Sequence, residues 1–223
     1  MNTLYPFFPQ FIIGLLAILS ITENSMATIV VDDFTSGNYI ETLPASGVSS
    51  VKHVESETNT PGGFRKTHFS SIPLLAGNKS FLNINTIAGL ASVSNDFRVN
   101  HRLEIIYGAN NVGQAPLNRD LSACSKFNIQ FSTIDLGLNV NITVFSGGGT
   151  GRASIATDVN RDTHPDVGLN SPVLLEVFLT DFYSPPSLPV NWNDIDVMSF
   201  ILQTGNATGG NDYAIDEISI ACP

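Results

Sequence analysis

Residues 193–202, Asn-Asp-Ile-Asp-Val-Met-Ser-Phe-Ile-Leu, and residues 212–220, Asp-Tyr-Ala-Ile-Asp-Glu-Ile-Ser-Ile, flank a Gly/Asn-rich turn and read as two β-strands. Successive strand side chains point to opposite faces, so Ala214, Asp216, Ile218 and Ile220 are expected on one face, and Tyr213, Ile215, Glu217 and Ser219 on the other. That register puts the Asp216 carboxylate among aliphatic side chains, where an ionised group is costly unless hydrogen-bonded, paired or bound to a metal. No Lys or Arg follows Arg161, so no basic partner lies close by in the chain. Val197 to Leu202 is apolar on both sides, which predicts a central place in its sheet.

Working outward, the same period recurs. Leu138, Val140, Ile142 and Val144 alternate with Asn139, Asn141 and Thr143, the strongest strand signal in the chain. Leu103, Ile105 and Tyr107 share a face, as do Phe127, Ile129 and Phe131. Val173 to Leu179 is apolar on both faces apart from Glu176 and reads as a covered strand. Gly, Pro and Asn punctuate the intervals, and no sustained helical period is present beyond the N-terminal run. The expected fold is all-β, an antiparallel β-sandwich of jelly-roll type. Residues 28–34 (Thr-Ile-Val-Val-Asp-Asp-Phe) and 212–220 are the expected partners that close one sheet, bringing Asp32 or Asp33 near Asp212 or Asp216.

Residues 11–21 form an apolar run followed by Ser25-Met26-Ala27, a small-x-small motif, so residues 1–27 read as a signal peptide and 28–223 as a single domain. A retained membrane anchor is the competing reading, against which the run is shorter than the ~20 residues a membrane span needs. An exported location is expected, extracellular or periplasmic, with no membrane contact after cleavage. There the only two cysteines, Cys124 and Cys222, would persist as a disulfide, with two buried thiols as the alternative. The net charge of −10 argues against nucleic acid and anionic membranes as partners.

Val31-Asp32-Asp33-Phe34, Gly62-Gly63-Phe64-Arg65, Leu103 to Gly108, Leu117 to Leu121, Trp192 to Asp196 and Tyr213 to Ile218 occur in an order that resembles exported bacterial jelly-roll proteins. Lys66 stands where that pattern carries an acid after Arg65. More distantly, the Asp-Asp-Phe opening and the Asp-x-Ile ending look like galactose-binding-like carbohydrate-binding modules. That likeness implies acids near the terminal strands holding a structural calcium, here Asp32, Asp33, Asp212 and Asp216.

A second calcium candidate is read from spacing. Asp158, Asn160, Asp162 and Asp166 supply oxygen donors at relative positions 1, 3, 5 and 9, although Thr163 stands where a turn glycine belongs and Leu169 where a bidentate Glu would be. The alternative is an ordinary polar turn. No catalytic residues are assigned. The histidines, His53, His68, His101 and His164, lie in separate segments, no nucleophile elbow or phosphate-binding loop occurs, and Asp194/Asp196 is a carboxylate pair by spacing alone. For a glycan, the residues expected to serve are Tyr107, Tyr183 and Trp192 as aromatic surfaces and Arg65 as a hydrogen-bonding neighbour, with Phe182, His68, Asn110 and Asn111 in support.

The sequence therefore points to an exported, non-enzymatic β-sandwich that binds a ligand or a surface, carbohydrate being the leading ligand. The alternatives are a jelly-roll polysaccharide hydrolase or lyase and a matrix or cell-surface structural protein.

Overall fold

The computed structural model describes residues 27–43, 49–56, 59–73, 77–108, 115–204 and 210–223. Of the expected signal peptide only Ala27 falls within them, and Asn110 and Asn111 lie outside. The strands in chain order are β1 (Ala27–Asp32), β2 (Tyr39–Leu43), β3 (Ser49–Ser56), β4 (Phe64–Pro73), β5 (Ser80–Asn85), β6 (Leu90–Asn95), β7 (Val99–Tyr107), β8 (Lys126–Ile134), β9 (Leu138–Ser146), β10 (Gly151–Val159), β11 (Val173–Phe178), β12 (Ile195–Thr204) and β13 (Tyr213–Cys222). They form two antiparallel sheets. The seven-stranded sheet runs β11-β8-β13-β6-β5-β2, with β1 also paired to β13; the six-stranded sheet runs β10-β9-β12-β7-β4-β3. One apolar core fills the space between them.

The alternation expected from sequence builds that core. In β9, Leu138, Val140, Ile142 and Val144 are buried while Asn139 is exposed. Phe127, Ile129 and Phe131 of β8 and Leu103, Ile105 and Tyr107 of β7 are buried against them. The 193–202 run becomes β12, flanked by β9 and β7, as its two-sided apolar character requires. The first and last strands do pair, from Ala27 opposite Cys222 to Asp32 opposite Ile218.

Two expectations are corrected. Along β13 the partner of Ile215 is Phe131, but that of Glu217 is Gln130, so Asp216 is an extra residue in a β-bulge. The bulge shifts the alternation by one position. Tyr213 and Ile215 face the core before it, Ile218, Ile220 and Cys222 after it, and Asp216 with Glu217 lines a hollow on the outer face. Asp216 therefore does not sit among core aliphatics. Second, β11 is an edge strand rather than a covered one. Val173, Leu175 and Val177 point inward, whereas Leu174 and Phe178 are 44% and 46% exposed, because the outer face there is open.

The buried acid near the terminal strands is Asp32, only 1% exposed. Its Oδ1 accepts the Phe34 N–H at 2.8 Å, and its Oδ2 accepts the Tyr107 hydroxyl at 2.7 Å and Arg65 Nη1 at 2.9 Å. Arg65 Nη2 also donates to the carbonyls of Ser36 and Gly37, each at 2.9 Å, and to Glu55 at 3.0 Å. Burial opposes the guanidinium charge, but Asp32 beside it and the hydrogen bonds to Asp32 and Glu55 hold the Arg65 pKa above its ordinary value. Since Asp32 belongs to one sheet and Arg65 and Tyr107 to the other, this ion pair fastens the two layers together.

Near the other end of β13, His101 and Tyr213 form a second buried polar link. His101 Nε2 lies 3.2 Å from the Tyr213 hydroxyl, and its Nδ1 lies 2.9 Å from Asn95 Nδ2. Burial lowers the His101 pKa to about 3, so the ring is neutral, and the amide donating to Nδ1 places the proton on Nε2. Cys124 and Cys222 are disulfide-bonded across 98 residues of sequence, tying the lead-in of β8 to the end of β13.

Candidate functional site

The outward positions of the six-stranded sheet follow from the same alternation that makes its core. Register sets them in rows across the strands. One row runs Asp158, Asn139, Gln203, Arg102, Ser70 and Ser50. The next runs Ala156, Asn141, Ile201, Glu104, His68 and Lys52, and a third Ser154, Thr143, Ser199, Ile106, Lys66 and Val54. Phe145 and Val197 extend the face beside Arg152.

Among the described residues, open hollows lie on this face. One, of about 380 Å³, is lined by Asn139, Asn141, Asp158 and Gln203. A second, of about 270 Å³, is lined by Glu104, Thr143, Phe145, Arg152 and Ser199, and a third of the same volume by Ser70, Asn100, Arg102 and Gln203. Gln203 is shared by the first and third, which makes them neighbours along one trough. At the centre Glu104 accepts the Ser199 hydroxyl at 3.0 Å, with Arg102 Nη2 at 3.4 Å and His68 Nδ1 at 3.7 Å from its other oxygen. The Arg152 guanidinium lies 5.8 Å from the centre of the Phe145 ring, a cation–π arrangement that keeps an aromatic and a cation side by side. The face thus offers planar amides, hydroxyls and fixed charges on rigid strands, a surface suited to many directional hydrogen bonds.

The residues expected for ligand contact fall elsewhere. Arg65 and Tyr107 are 1% and 0% exposed and bonded to Asp32, so the expectation of a surface role for them is corrected: both belong to the clamp between the sheets. Tyr183 is 67% exposed, and its backbone pairs with Ser154, so its loop covers the free edge of β10. Trp192 is half-buried, edge-on to Phe182 at 5.6 Å. Asp196 is buried in β12, where it accepts the Gly148 N–H at 2.6 Å, while Asp194 precedes the strand.

The acids expected to hold calcium do not converge. Asp32 is engaged with Arg65, Asp33 caps a turn through Thr35, and Asp212 accepts the Asn95 N–H at 2.8 Å. Asp216 lines the hollow of about 340 Å³ on the opposite face with Asn128, Gln130, Glu217 and Ser219, and one oxygen each of Asp216 and Asn128 is buried without a partner. In the 158–166 turn the Asn160 side-chain oxygen accepts the backbone N–H groups of Asp162 and Thr163 at 2.8 and 3.1 Å, the geometry of a polar turn. Among the described residues no three His, Cys, Asp or Glu side chains form a group that could hold a metal ion.

Arg102, Glu104, Arg152 and Gln203 were not singled out from sequence. Their only local signal is an outward position in an alternating strand, which any solvated polar residue shares.

No family model matches the sequence, and no curated protein matches it. Among solved structures, the chain is similar to the family 11 carbohydrate-binding module of the cellulosomal cellulase Lic26A-Cel5E of Clostridium thermocellum, with 14% identity over 89% of this chain and 96% of that one and a TM-score of 0.45. It is also similar to a family 11 module from Clostridium thermocellum in complex with a β-1,3-1,4-mixed-linked tetrasaccharide, with 15% identity, coverage of 86% and 94%, and a TM-score of 0.43. The agarase AgWH50C matches at 8% identity over 88% of this chain and 24% of that one, with a TM-score of 0.42.

Proposed function

We propose that this domain is exported and binds a carbohydrate across the outer face of the six-stranded sheet, without cleaving it. The observation that carries the reading is the trough itself, in which Asn139, Asn141, Gln203 and Arg102 present planar polar groups, with the half-buried Phe145 in the second hollow farther along β9. Paired hydroxyls of a sugar are matched by such groups, since the Asn and Gln amides donate and accept in a fixed plane and the Arg102 guanidinium donates, and the Phe145 ring adds an apolar surface on the same face. The shallow, elongated shape favours a polymer over a small molecule enclosed on all sides. Export is supported by the apolar run before Ala27 and by the disulfide, which persists in oxidising compartments. A non-catalytic role is supported by the engagement of the buried acids Asp32 and Asp196 in structural hydrogen bonds.

Affinity electrophoresis through gels containing plant, algal and bacterial polysaccharides tests the reading. Retardation by at least one polymer, abolished in the Asn141→Ala/Gln203→Ala variant and without release of reducing or unsaturated ends, is the expected result. Unretarded migration in every gel would refute it.

A further inference from the structure

We infer that the polymer held by this face is an anionic polysaccharide, bearing carboxylate or sulfate groups; the inference rests on the carbohydrate reading above. Charge segregation carries it. The chain has 10 Lys and Arg against 20 Asp and Glu, yet Lys52, Lys66, Arg102 and Arg152 all project from the outer face of the six-stranded sheet. The acids in the same outward rows are Glu104 and Asp158, with Asp196 at the bulge next to Val197. Glu104 accepts the Ser199 hydroxyl and shares Arg102 with a docked anion, and Asp158 accepts from the Asn160 amide at the rim. The opposite sheet has the reverse character: Glu176, Asp216 and Glu217 face outward, and among the described residues Lys126 is the basic neighbour, paired to Glu176.

The acidic total does not cancel this local field. At physiological salt the screening length is ~8 Å, so an anion docked on the sheet responds to the groups beneath it and hardly to those across the molecule. The basic groups are also spread rather than pooled. With strands ~4.8 Å apart, Lys52 on β3 and Arg152 on β10 stand at opposite sides of a surface five strand spacings wide, ~24 Å, with Lys66 and Arg102 between them. Arg102 lines the trough and Arg152 the separate second hollow, while Lys52 and Lys66 project elsewhere from the same face, so a polymer crossing the face meets several cations where a single anion would use only one. Between them lie Asn139, Asn141, Thr143 and Gln203, which suit the remaining hydroxyls. A nucleic acid would call for a series of exposed aromatic rings for base stacking, whereas these hollows are lined by Phe145 alone among Phe, Tyr and Trp.

Matched pairs of polymers test the charge requirement: polygalacturonate against its carboxyl-reduced form, and dextran sulfate against dextran, with single-stranded DNA as a third probe. Binding by titration calorimetry at low and high salt should favour an acidic member over its neutral partner by about tenfold or more and weaken as salt rises. Arg102→Gln/Arg152→Gln should lose about tenfold for the acidic polymer, with an unchanged melting temperature establishing that the fold is intact. Preference for polygalacturonate or for dextran sulfate distinguishes carboxylate from sulfate recognition, either result supporting the inference. Equal affinity for the neutral partner, or loss of neutral binding alone in the variant, would overturn it while leaving carbohydrate binding in place. Binding of DNA but of no polysaccharide, or of no probe at all, would overturn the anionic reading, while the gel survey above decides carbohydrate binding separately.

Discussion

Replacing Asp32 removes the carboxylate that joins the two sheets, and the structure sets the expected size of the loss. Asp32 and Arg65 are each 1% exposed, so neither can exchange its partner for bulk water. Breaking a buried ion pair at one end costs about 3–5 kcal/mol, because the remaining charge is stranded. Glu55, at 3.0 Å from Arg65 Nη2, still neutralises part of the guanidinium, which places Asp32→Asn near the lower end, about 3 kcal/mol. Asp32→Ala also strands the Phe34 N–H and the Tyr107 hydroxyl, worth about 1–3 kcal/mol for each donor left dry. For a domain of this size 1 kcal/mol corresponds to about 2–4 °C in Tm, so Asp32→Asn should fall by roughly 6–12 °C and Asp32→Ala by more. Urea titration followed by the fluorescence of Trp192, the single tryptophan, measures the free energy directly. The double variant Asp32→Leu/Arg65→Met should lose less than the sum of the single changes, since it removes both charges together. A cost below about 1 kcal/mol for Asp32→Ala, or strict additivity in the double variant, would refute the clamp.

The buried His101 should make stability depend on pH. Its folded pKa of about 3 lies below the unfolded value near 6.5, so the unfolded chain binds more protons between those values. The contribution is complete above about pH 6.5 and is lost as pH falls, by up to about 1.4 kcal/mol per unit. Melts between pH 4 and 7 should therefore show a shallower slope for His101→Gln than for the parent, and identical slopes would disprove the assignment. Reducing the Cys124–Cys222 bond frees a loop of 98 residues, worth roughly 4–5 kcal/mol in the chain-entropy model; urea midpoints unchanged by reductant would contradict it. Neighbours in β11 should behave oppositely: Leu175→Ala should cost about 2–5 kcal/mol and Leu174→Lys less than about 0.5, so equal losses would show that this edge strand is covered after all.

Much of the architecture is local in origin. Alternation in residues 138–144 places four aliphatics inward whatever the partner strands are, and turn residues between short runs exclude a helical fold. The pairing of the first and last strands was legible because both are β-branched or aliphatic runs with one acid-bearing end. The two cysteines admitted one intramolecular bridge. The site was far less legible. Arg65 sits in a locally basic stretch after two glycines and reads as a surface residue, yet its carboxylates come from Asp32, 33 residues earlier, and Glu55, 10 residues earlier.

What sequence by itself determined, then, is the layer type, the inward set of each regular strand, and the closure of the chain ends. Tertiary structure decided where that alternation breaks and which outward side chains become neighbours. The bulge at Asp216 adds one residue against β8 and reverses the faces beyond it, a consequence of fitting two strands together that neither strand encodes alone. The outer face is likewise a product of register: Lys52, Arg102, Asn141 and Arg152 lie up to 100 residues apart and share one face only because hydrogen-bond ladders align six strands. A strand's period fixes which side a residue faces, but its neighbours across the sheet are fixed by pairing over long sequence distances.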